Sequence, residues 1–149
     1  MMNQRLIEFK VWNKSKKKWE EYFSIDRFGL PYEEDYEKRI YHPKNWILIK
    51  SIGIRDKNNK KIFEGDVVRD EDCYGCTGIV RHGEYNDGEY RNYGWHIADA
   101  IDSDFEDFDH QFKLTPCCKE DIEVIGNIYD SNKFIKDIFN NLELLNLNE

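Results

Sequence analysis

Hydrophobic and polar residues alternate at the start of the chain, and this alternation predicts a β-hairpin. Over residues 6–12 an apolar side chain occupies every second position, the pattern of a strand with one buried face. The polar run 13–18 predicts a turn, and residues 19–23 predict the returning strand. Residues 1–23 are therefore expected to form a hairpin. We interpret its lysine-rich tip as a solvated loop, and a phosphate-binding loop is the alternative.

The pattern is lost over residues 24–45, which we predict to be a long irregular connection. Pro31 and Pro43 interrupt this stretch, and three consecutive acids follow the first of them, so that neither a strand period nor a helical period is visible. Loops of this length in compact domains are often functional or mobile.

Residues 46–129 contain the apolar, β-branched and turn-rich segments of a β core. Residues 46–51 are apolar on both faces, as in a buried strand. The pair Asn58-Asn59 is compatible with a type I′ hairpin turn, because asparagine tolerates positive φ. A β-branched run at residues 123–129 closes the core. The residues expected to shape its turns and bulges are Gly53, Asp56, Glu64, Gly65, Asp66 and Gly126.

Two of these turn residues, Glu64 and Asp66, are carboxylates close in sequence, as in many acid–base and metal sites. A Gly-Asp step before paired β-branched residues is also a common entry into a barrel strand, where the aspartate side chain accepts backbone N–H groups. We interpret both residues as structural, and a carboxylate-dependent hydrolase is the alternative.

The C-terminal segment is the stretch with clear helical periodicity. After an N-cap at Asp130 or Ser131, apolar residues recur at helical spacing, which predicts an amphipathic helix over residues 130–147. Its apolar stripe consists of Phe134, Ile135, Ile138, Phe139, Leu142 and Leu145. The stripe is expected to pack on the chain's own sheet or, because it is wide for a terminal element, to join copies into a homo-oligomer.

Composition limits the classes of partner. With 149 residues, of which 15% are aromatic, the chain is long enough for one domain rich in strands. Its net charge of −8 opposes binding to DNA, which depends on neutralising phosphates. No apolar run is long enough to cross a membrane, and the N-terminus lacks a signal-peptide core. We therefore expect a protein of the cytoplasm of the cell that makes it.

The cysteines are then expected to be reduced. The spacing of Cys73 and Cys76 is one that presents two thiolates to zinc, with Cys117 and His96 completing the best available set. The adjacent Cys117 and Cys118 form a poor second pair, however. The glycines around Cys76 predict a hairpin, whereas a redox motif needs a helix N-terminus. We expect structural cysteines and no metal or other cofactor, and zinc or redox cysteines are the alternatives.

A strongly acidic stretch lies between residues 99 and 109, with two phenylalanines interleaved. Such a run is usually a solvated face. The alternative is a surface that mimics the phosphate spacing of nucleic acid and occupies a DNA-binding enzyme. The residues that would bind a partner in this way are Asp102, Asp104, Glu106 and Asp107.

The segment 51–68, which reads Ser-Ile-Gly-Ile-Arg-Asp-Lys-Asn-Asn-Lys-Lys-Ile-Phe-Glu-Gly-Asp-Val-Val, closely resembles the signature of the YopX-like proteins of phages and prophages. The N-terminal strand ending in Val-Trp, the Cys-Tyr-Gly-Cys-Thr-Gly segment and the Val-Ile-Gly-Asn-Ile-Tyr run also fit, in family order. Ser51 and Asn59 stand where Thr and Gly are common. The resemblance implies a single, mainly β domain over residues 1–149 with a small SH3-like curled sheet or barrel. It implies no catalytic residues.

We therefore expect a binding protein of phage or prophage origin and not an enzyme, because the chain has no recognisable catalytic triad and no glycine-rich phosphate loop. The expected partner is a host macromolecule, such as a protein of defence or DNA metabolism. The alternatives are an oligomeric sponge for a small nucleotide signal, the hydrolase above, and a weak nucleic-acid binder that uses residues 14–18 with Arg81 and Arg91.

Overall fold

The computed structural model describes residues 7–71, 76–86, 90–101, 112–113 and 120–130. These residues form twelve strands and their connections: β1 Phe9–Asn13, β2 Lys18–Trp19, β3 Ser24–Ile25, β4 Pro31–Asp35, β5 Lys38–Tyr41, β6 Trp46–Arg55, β7 Lys61–Phe63, β8 Asp66–Asp70, β9 Cys76–Asn86, β10 Arg91–Ile101, β11 Phe112–Lys113 and β12 Ile122–Asn127. The prediction of a mainly β protein is confirmed. The predicted C-terminal helix lies, beyond residue 130, outside the described residues.

The strands form three antiparallel sheets. One sheet has the order β2-β1-β6-β7, a second has the order β11-β10-β9-β8-β12, and a third has the order β3-β4-β5. Strands β8, β9 and β10 follow one another in sequence and in space, whereas β12 returns to pair with β8 at the edge of the second sheet. The first and second sheets are linked in sequence by the turn between β7 and β8.

Strands β1 and β2 form the N-terminal hairpin, with Trp12 opposite Trp19. The alternation of β1 predicted one buried face. Val11 and Trp12 are adjacent and both buried, so the strand is in fact covered on both faces. Trp12 packs with Ile49 and Phe63, which explains why its face is also covered.

The prediction of an irregular connection over residues 24–45 is wrong, because these residues contain the sheet β3-β4-β5. Its strands have two, five and four residues, which is too short for a period of two to stand out in the sequence. Tyr32 and Tyr41 pair across β4 and β5 with ring centroids 5.6 Å apart. Cross-strand aromatic pairs of this kind stabilise short sheets.

The predicted type I′ turn at Asn58-Asn59 is also wrong, because only Asn59 has a positive φ, of 65°. The N–H of Asn59 donates to the carbonyl of Asp56, and the N–H of Asp56 donates to the carbonyl of Lys60. This pattern is a hairpin loop with a type I turn followed by one left-handed residue. Gly53 has a φ of 81° inside β6, where the register with β7 shifts.

Two buried clusters are seen among the residues that the structure describes. The larger cluster lies in the second sheet and against β7, and it comprises Ile62, Val68, Val80, Ile97 and Ile122. The smaller cluster lies against the first sheet, where Trp12, Trp19 and Tyr129 pack their rings together. The indole Nε1 of Trp19 donates to the Asp130 carboxylate at 3.2 Å. The segment after β12 is thereby attached to the N-terminal hairpin.

A search for membrane-crossing helices found none of sufficient length and apolarity among the residues that the structure describes.

Candidate functional site

Asp56 lies in the loop between β6 and β7, and its buried carboxylate joins two distant parts of the chain. One oxygen accepts the backbone N–H groups of Asn58 and Lys60, at 2.9 and 2.8 Å. The other oxygen accepts the N–H of Val124 in β12, at 2.9 Å. The N–H of Lys57 donates to β12 as well. Each carboxylate oxygen of Asp56 is therefore occupied by backbone donors.

Asp66, at the start of β8, is 5% exposed. Its Oδ2 accepts the backbone N–H of Phe63 at 2.8 Å, which closes the turn between β7 and β8. Burial raises the pKa of this carboxyl group to about 6, although the N–H of Phe63 and the charges of Lys10 and Lys60 act to lower it. Burial prevails because it disfavours the charged form.

Glu64, the other carboxylate of the predicted pair, acts on a different neighbour. The pKa of the Tyr129 hydroxyl is raised mainly by burial, and Glu64 raises it further while Arg81 lowers it. The carboxylate whose charge acts on Asp66 is that of Asp56. Glu64 thus affects the pKa of Tyr129, whereas the carboxylate that affects the pKa of Asp66 is that of Asp56.

Gly65, between these acids, lies so close to Tyr129 that a side chain at this position would not fit. Its φ is 85°, and a Cβ atom there would lie 3.0 Å from the ring of Tyr129. Its N–H donates to Val80 and its carbonyl accepts from Ile128. A register shift between Val124 and Gly126 marks a bulge in β12 opposite this turn.

Several predicted site residues lie outside the described residues. They are Cys73, Cys117, Cys118, Asp102, Asp104, Glu106 and Asp107, and the side chain of Cys76 lies outside as well. His96 is buried in β10, where its Nδ1 donates to the Gly94 carbonyl at 3.0 Å and its ring stacks on Tyr85. Over the described ranges, no group of three or more His, Cys, Asp or Glu side chains is arranged to hold a metal ion.

Among the described residues, the two most exposed large hydrophobic side chains, Tyr36 and Tyr22, lie in or beside the sheet β3-β4-β5. Large hydrophobic side chains are seldom so exposed in such numbers unless they bind something. We define the β3–β5 surface by the exposed residues Tyr22, Phe28, Leu30, Tyr36, Ile40 and Tyr41. Elsewhere in the described chain the exposed large apolar residues are Ile7, Tyr90 and Tyr93.

The β4–β5 turn places Tyr36 at the outermost point of this surface. Asp35 pairs with Lys38, so the turn has two residues, and Tyr36 and Glu37 both have positive φ, of 45° and 68°. These angles are of the type I′ kind, which asparagine and glycine adopt readily and a bulky tyrosine rarely does. Tyr36 is nevertheless 96% exposed. The strained conformation therefore displays an aromatic ring that is almost fully exposed.

The loop between β3 and β4 is held by Asp26. Its Oδ1 accepts the N–H groups of Phe28 and Leu30, each at 2.9 Å, and its Oδ2 accepts the hydroxyl of Tyr41 at 3.0 Å. The hydrogen bond from Leu30 is the main cause that lowers the pKa of Asp26. Gly29 supplies the positive φ that the loop needs. The exposed rings of this surface are thus held on an ordered backbone.

A cleft of about 740 Å³ lies beside the β3–β5 surface, between the β1–β2 hairpin and β4. Its residues are Asn13, Ser15, Lys16, Lys18, Glu20, Glu21, Tyr22, Phe23, Ser24, Glu33, Glu34, His42, Asn45 and Trp46. Pockets of this size accommodate small ligands or short peptide segments. Tyr22, which lies two residues before β3, lines the cleft and is also among the residues that define the β3–β5 surface.

Sequence reasoning missed this region because it treated residues 24–45 as a loop. The available signal was the spacing of aromatic residues, since Tyr32 and Tyr41 flank the two-residue turn at equal distances in β4 and β5. The lysine-rich tip is exposed at residues 15–18, in agreement with its interpretation as a solvated loop. Lys16 and Lys18 line the cleft, and Lys18 lies 3.9 Å from the Glu20 carboxylate.

Comparisons with known proteins give a matching family model and similar solved structures. The model of a family described as "YopX protein" matches residues 1–136. The crystal structure of protein EF1440 from Enterococcus faecalis is similar at 17% sequence identity, with a TM-score of 0.45, over 89% of this chain and 99% of that chain. No curated protein matches the sequence.

Proposed function

We propose that this chain, which belongs to the YopX family, is an accessory binding protein of phage or prophage origin that docks on a host protein through its β3–β5 surface. The protein acts by binding and not by catalysis. The host protein belongs to the cytoplasm, which is where this chain works as well.

The observation that carries the proposal is the exposure of Tyr36 on a strained turn. Backbone strain persists where the surrounding structure enforces it, and it is concentrated at functional sites. A chain optimised for stability alone would have asparagine or glycine at residues 36 and 37. Tyrosine, in contrast, is enriched among the residues that dominate binding energy at protein interfaces.

The composition of the surface favours a protein partner over nucleic acid. Around Tyr36 the bases Lys38 and Arg39 are outnumbered by the acids Glu33, Glu34, Asp35 and Glu37. Phosphate groups would be repelled by these side chains. Aromatic rings with a polar rim are the arrangement that protein interfaces use.

The hydrolase alternative requires an accessible carboxylate pair at residues 64 and 66. Asp66 is buried, and its carboxylate is engaged by the N–H of Phe63. This environment supports the structural interpretation of Asp66, and with it the proposal of a binding protein.

Affinity capture from a lysate of the host cell tests the proposal. We expect the wild-type protein to retain one host protein in near-stoichiometric amount and Tyr36→Ser to lose it. The matched control is Tyr93→Ser, which removes another highly exposed tyrosine from a different sheet and should keep the partner. If no host protein is retained, or if the two variants behave alike, the β3–β5 surface is not the docking site.

A further inference from the structure

We propose that the cleft beside the β3–β5 surface receives an arginine or lysine side chain from a basic segment of the protein partner. This inference rests on the proposed function, and it adds the chemistry that the partner must present. It follows from the shape, the floor and the charge of the cleft.

The cleft is formed by elements that are fixed in position. Asn13 is buried, and its side-chain carbonyl accepts the hydroxyl of Ser15 and the N–H of Lys16, at 2.9 and 3.1 Å. Its amide group donates to the Glu20 carboxylate at 2.6 Å. The N–H of Lys14 donates to the carbonyl of Asn45 across the cleft wall. Binding would therefore order little of the backbone, which favours affinity.

An aromatic side chain lies at the buried side of the cleft. Trp46 is 9% exposed, and the ring of His42 lies over it with centroids 4.6 Å apart. Tyr22 stands at the outer rim and is 85% exposed. His42 covers part of Trp46, so the exposed ring of Tyr22 is the one that can attract the ammonium group of lysine or the guanidinium group of arginine.

The cleft is lined by four glutamates against the two lysines Lys16 and Lys18, and two of the glutamates are available. Glu20 is engaged by Asn13 and Lys18, and Glu33 accepts a hydrogen bond from His42 at 3.0 Å. The carboxylates of Glu21 and Glu34 make no hydrogen bond or ion pair with any part of the chain that the structure describes.

Two free carboxylates beside aromatic rings are complementary to a side-chain cation. Arginine suits them best, because its planar guanidinium group donates to two acceptors and also stacks on aromatic faces. If the partner segment that carries this cation crossed Tyr22, the residues next to the cation in that segment would lie on the β3–β5 surface. One partner would then cover both features.

The probe is a capped peptide of alternating arginine and glycine, titrated into isotope-labelled protein and followed by nuclear magnetic resonance. We expect saturable shifts at the Trp46 indole and at the amides of Glu21 and Glu34. The double variant Glu21→Gln, Glu34→Gln should weaken the affinity about tenfold, because it removes both free carboxylates. An alternating glutamine and glycine peptide should cause no saturable shift.

The matched control is Glu84→Gln, Glu120→Gln, which removes the same charge from exposed positions away from the cleft. It should bind the arginine peptide like the wild type. Equal weakening in both double variants would overturn the inference in favour of general charge attraction. An absence of saturable shifts in the wild type would overturn it as well.

Failure of the inference can be told apart from failure of the proposed function. If host-protein capture depends on Tyr36 but is unaffected by Glu21→Gln, Glu34→Gln, the cleft inference is overturned and the docking surface stands. If the arginine peptide binds in the cleft but no host protein is retained, the proposed function is overturned and the chemistry of the cleft is supported.

Discussion

Asp66 combines burial with a backbone hydrogen bond from Phe63, and this environment makes folding stability depend on pH. Its pKa is about 6 in the folded protein, above the ordinary value of 3.8. The folded state therefore binds the proton more tightly than the unfolded state does. The resulting stabilisation is fully present below about pH 4 and is lost as the pH rises through about 6, to a total of about 3 kcal/mol.

The variant Asp66→Asn should remove this pH dependence, because an amide does not titrate and its carbonyl can still accept the N–H of Phe63. We expect the free energy of unfolding of the variant, relative to that of the wild type, to increase by up to about 3 kcal/mol between pH 4 and pH 7. Urea denaturation at several pH values measures the difference. Parallel curves for the two proteins would show that Asp66 does not titrate in this range.

Asp56 should be more sensitive to truncation, because its carboxylate satisfies three backbone N–H groups. Each buried donor left without an acceptor costs about 1–3 kcal/mol. Asp56→Ala should therefore lower the free energy of unfolding by at least about 3 kcal/mol. Glu84→Ala, at an exposed position of β9, is the control and should change it by less than about 0.5 kcal/mol. Similar values for the two variants would contradict this role.

At the scale of elements, the residues of the β4–β5 turn should lower the stability of the protein and strengthen its binding to the partner. Replacing Tyr36-Glu37 by Asn-Gly gives the turn residues that its positive φ angles favour. We expect the free energy of unfolding to rise by about 1 kcal/mol or more, while capture of the host protein is lost.

A matched control for the turn variant is Lys17→Gly, which relaxes another positive φ, of 51°, in the β1–β2 loop. It should raise stability slightly and leave capture intact. Thermal unfolding and affinity capture of both variants check the pair. If the Asn-Gly variant retains the partner, Tyr36 is not a contact residue.

Elements with strong local patterns could be predicted from the sequence, and those defined by pairing could not. The strands β6 and β12 were visible because each contains a cluster of apolar and β-branched residues. The third sheet was not, because strands of two to five residues gain their stability from cross-strand pairs such as Tyr32 and Tyr41. The candidate site was missed for the same reason, since it is built on that sheet.

Turn types show a related limit. Asn58-Asn59 is compatible with two different hairpin loops, and the choice depends on where the flanking strands pair. The carboxylate of Asp56 selects the longer loop by accepting the N–H groups of Asn58 and Lys60. Its contact with Val124 is far away in sequence, so local residue preferences could not have indicated it.

At the scale of the whole molecule, the charge distribution predicts no tight binding to DNA. The net charge is −8, and Lys18 in the hairpin tip lies beside Glu20. At about 150 mM salt we expect no gel shift of duplex DNA at micromolar protein, because too few cations face any one phosphate run. Changing Glu33, Glu34 and Glu37 to lysine should create weak, salt-sensitive binding. A tight shift by the wild type would contradict the prediction.

The late arrival of β12 has a consequence for synthesis on the ribosome. One oxygen of the Asp56 carboxylate and the outer edge of β8 find their hydrogen-bond partners in β12. The contact of Asp56 is with Val124, which lies 68 residues further along the chain. Translation adds about 5–20 residues per second, so the nascent chain exposes an unpaired strand edge for several seconds. Open edges recruit strands from other chains. Slow codons placed between residues 70 and 122 should therefore increase aggregation between neighbouring ribosomes on one messenger, whereas slow codons before residue 60 should not.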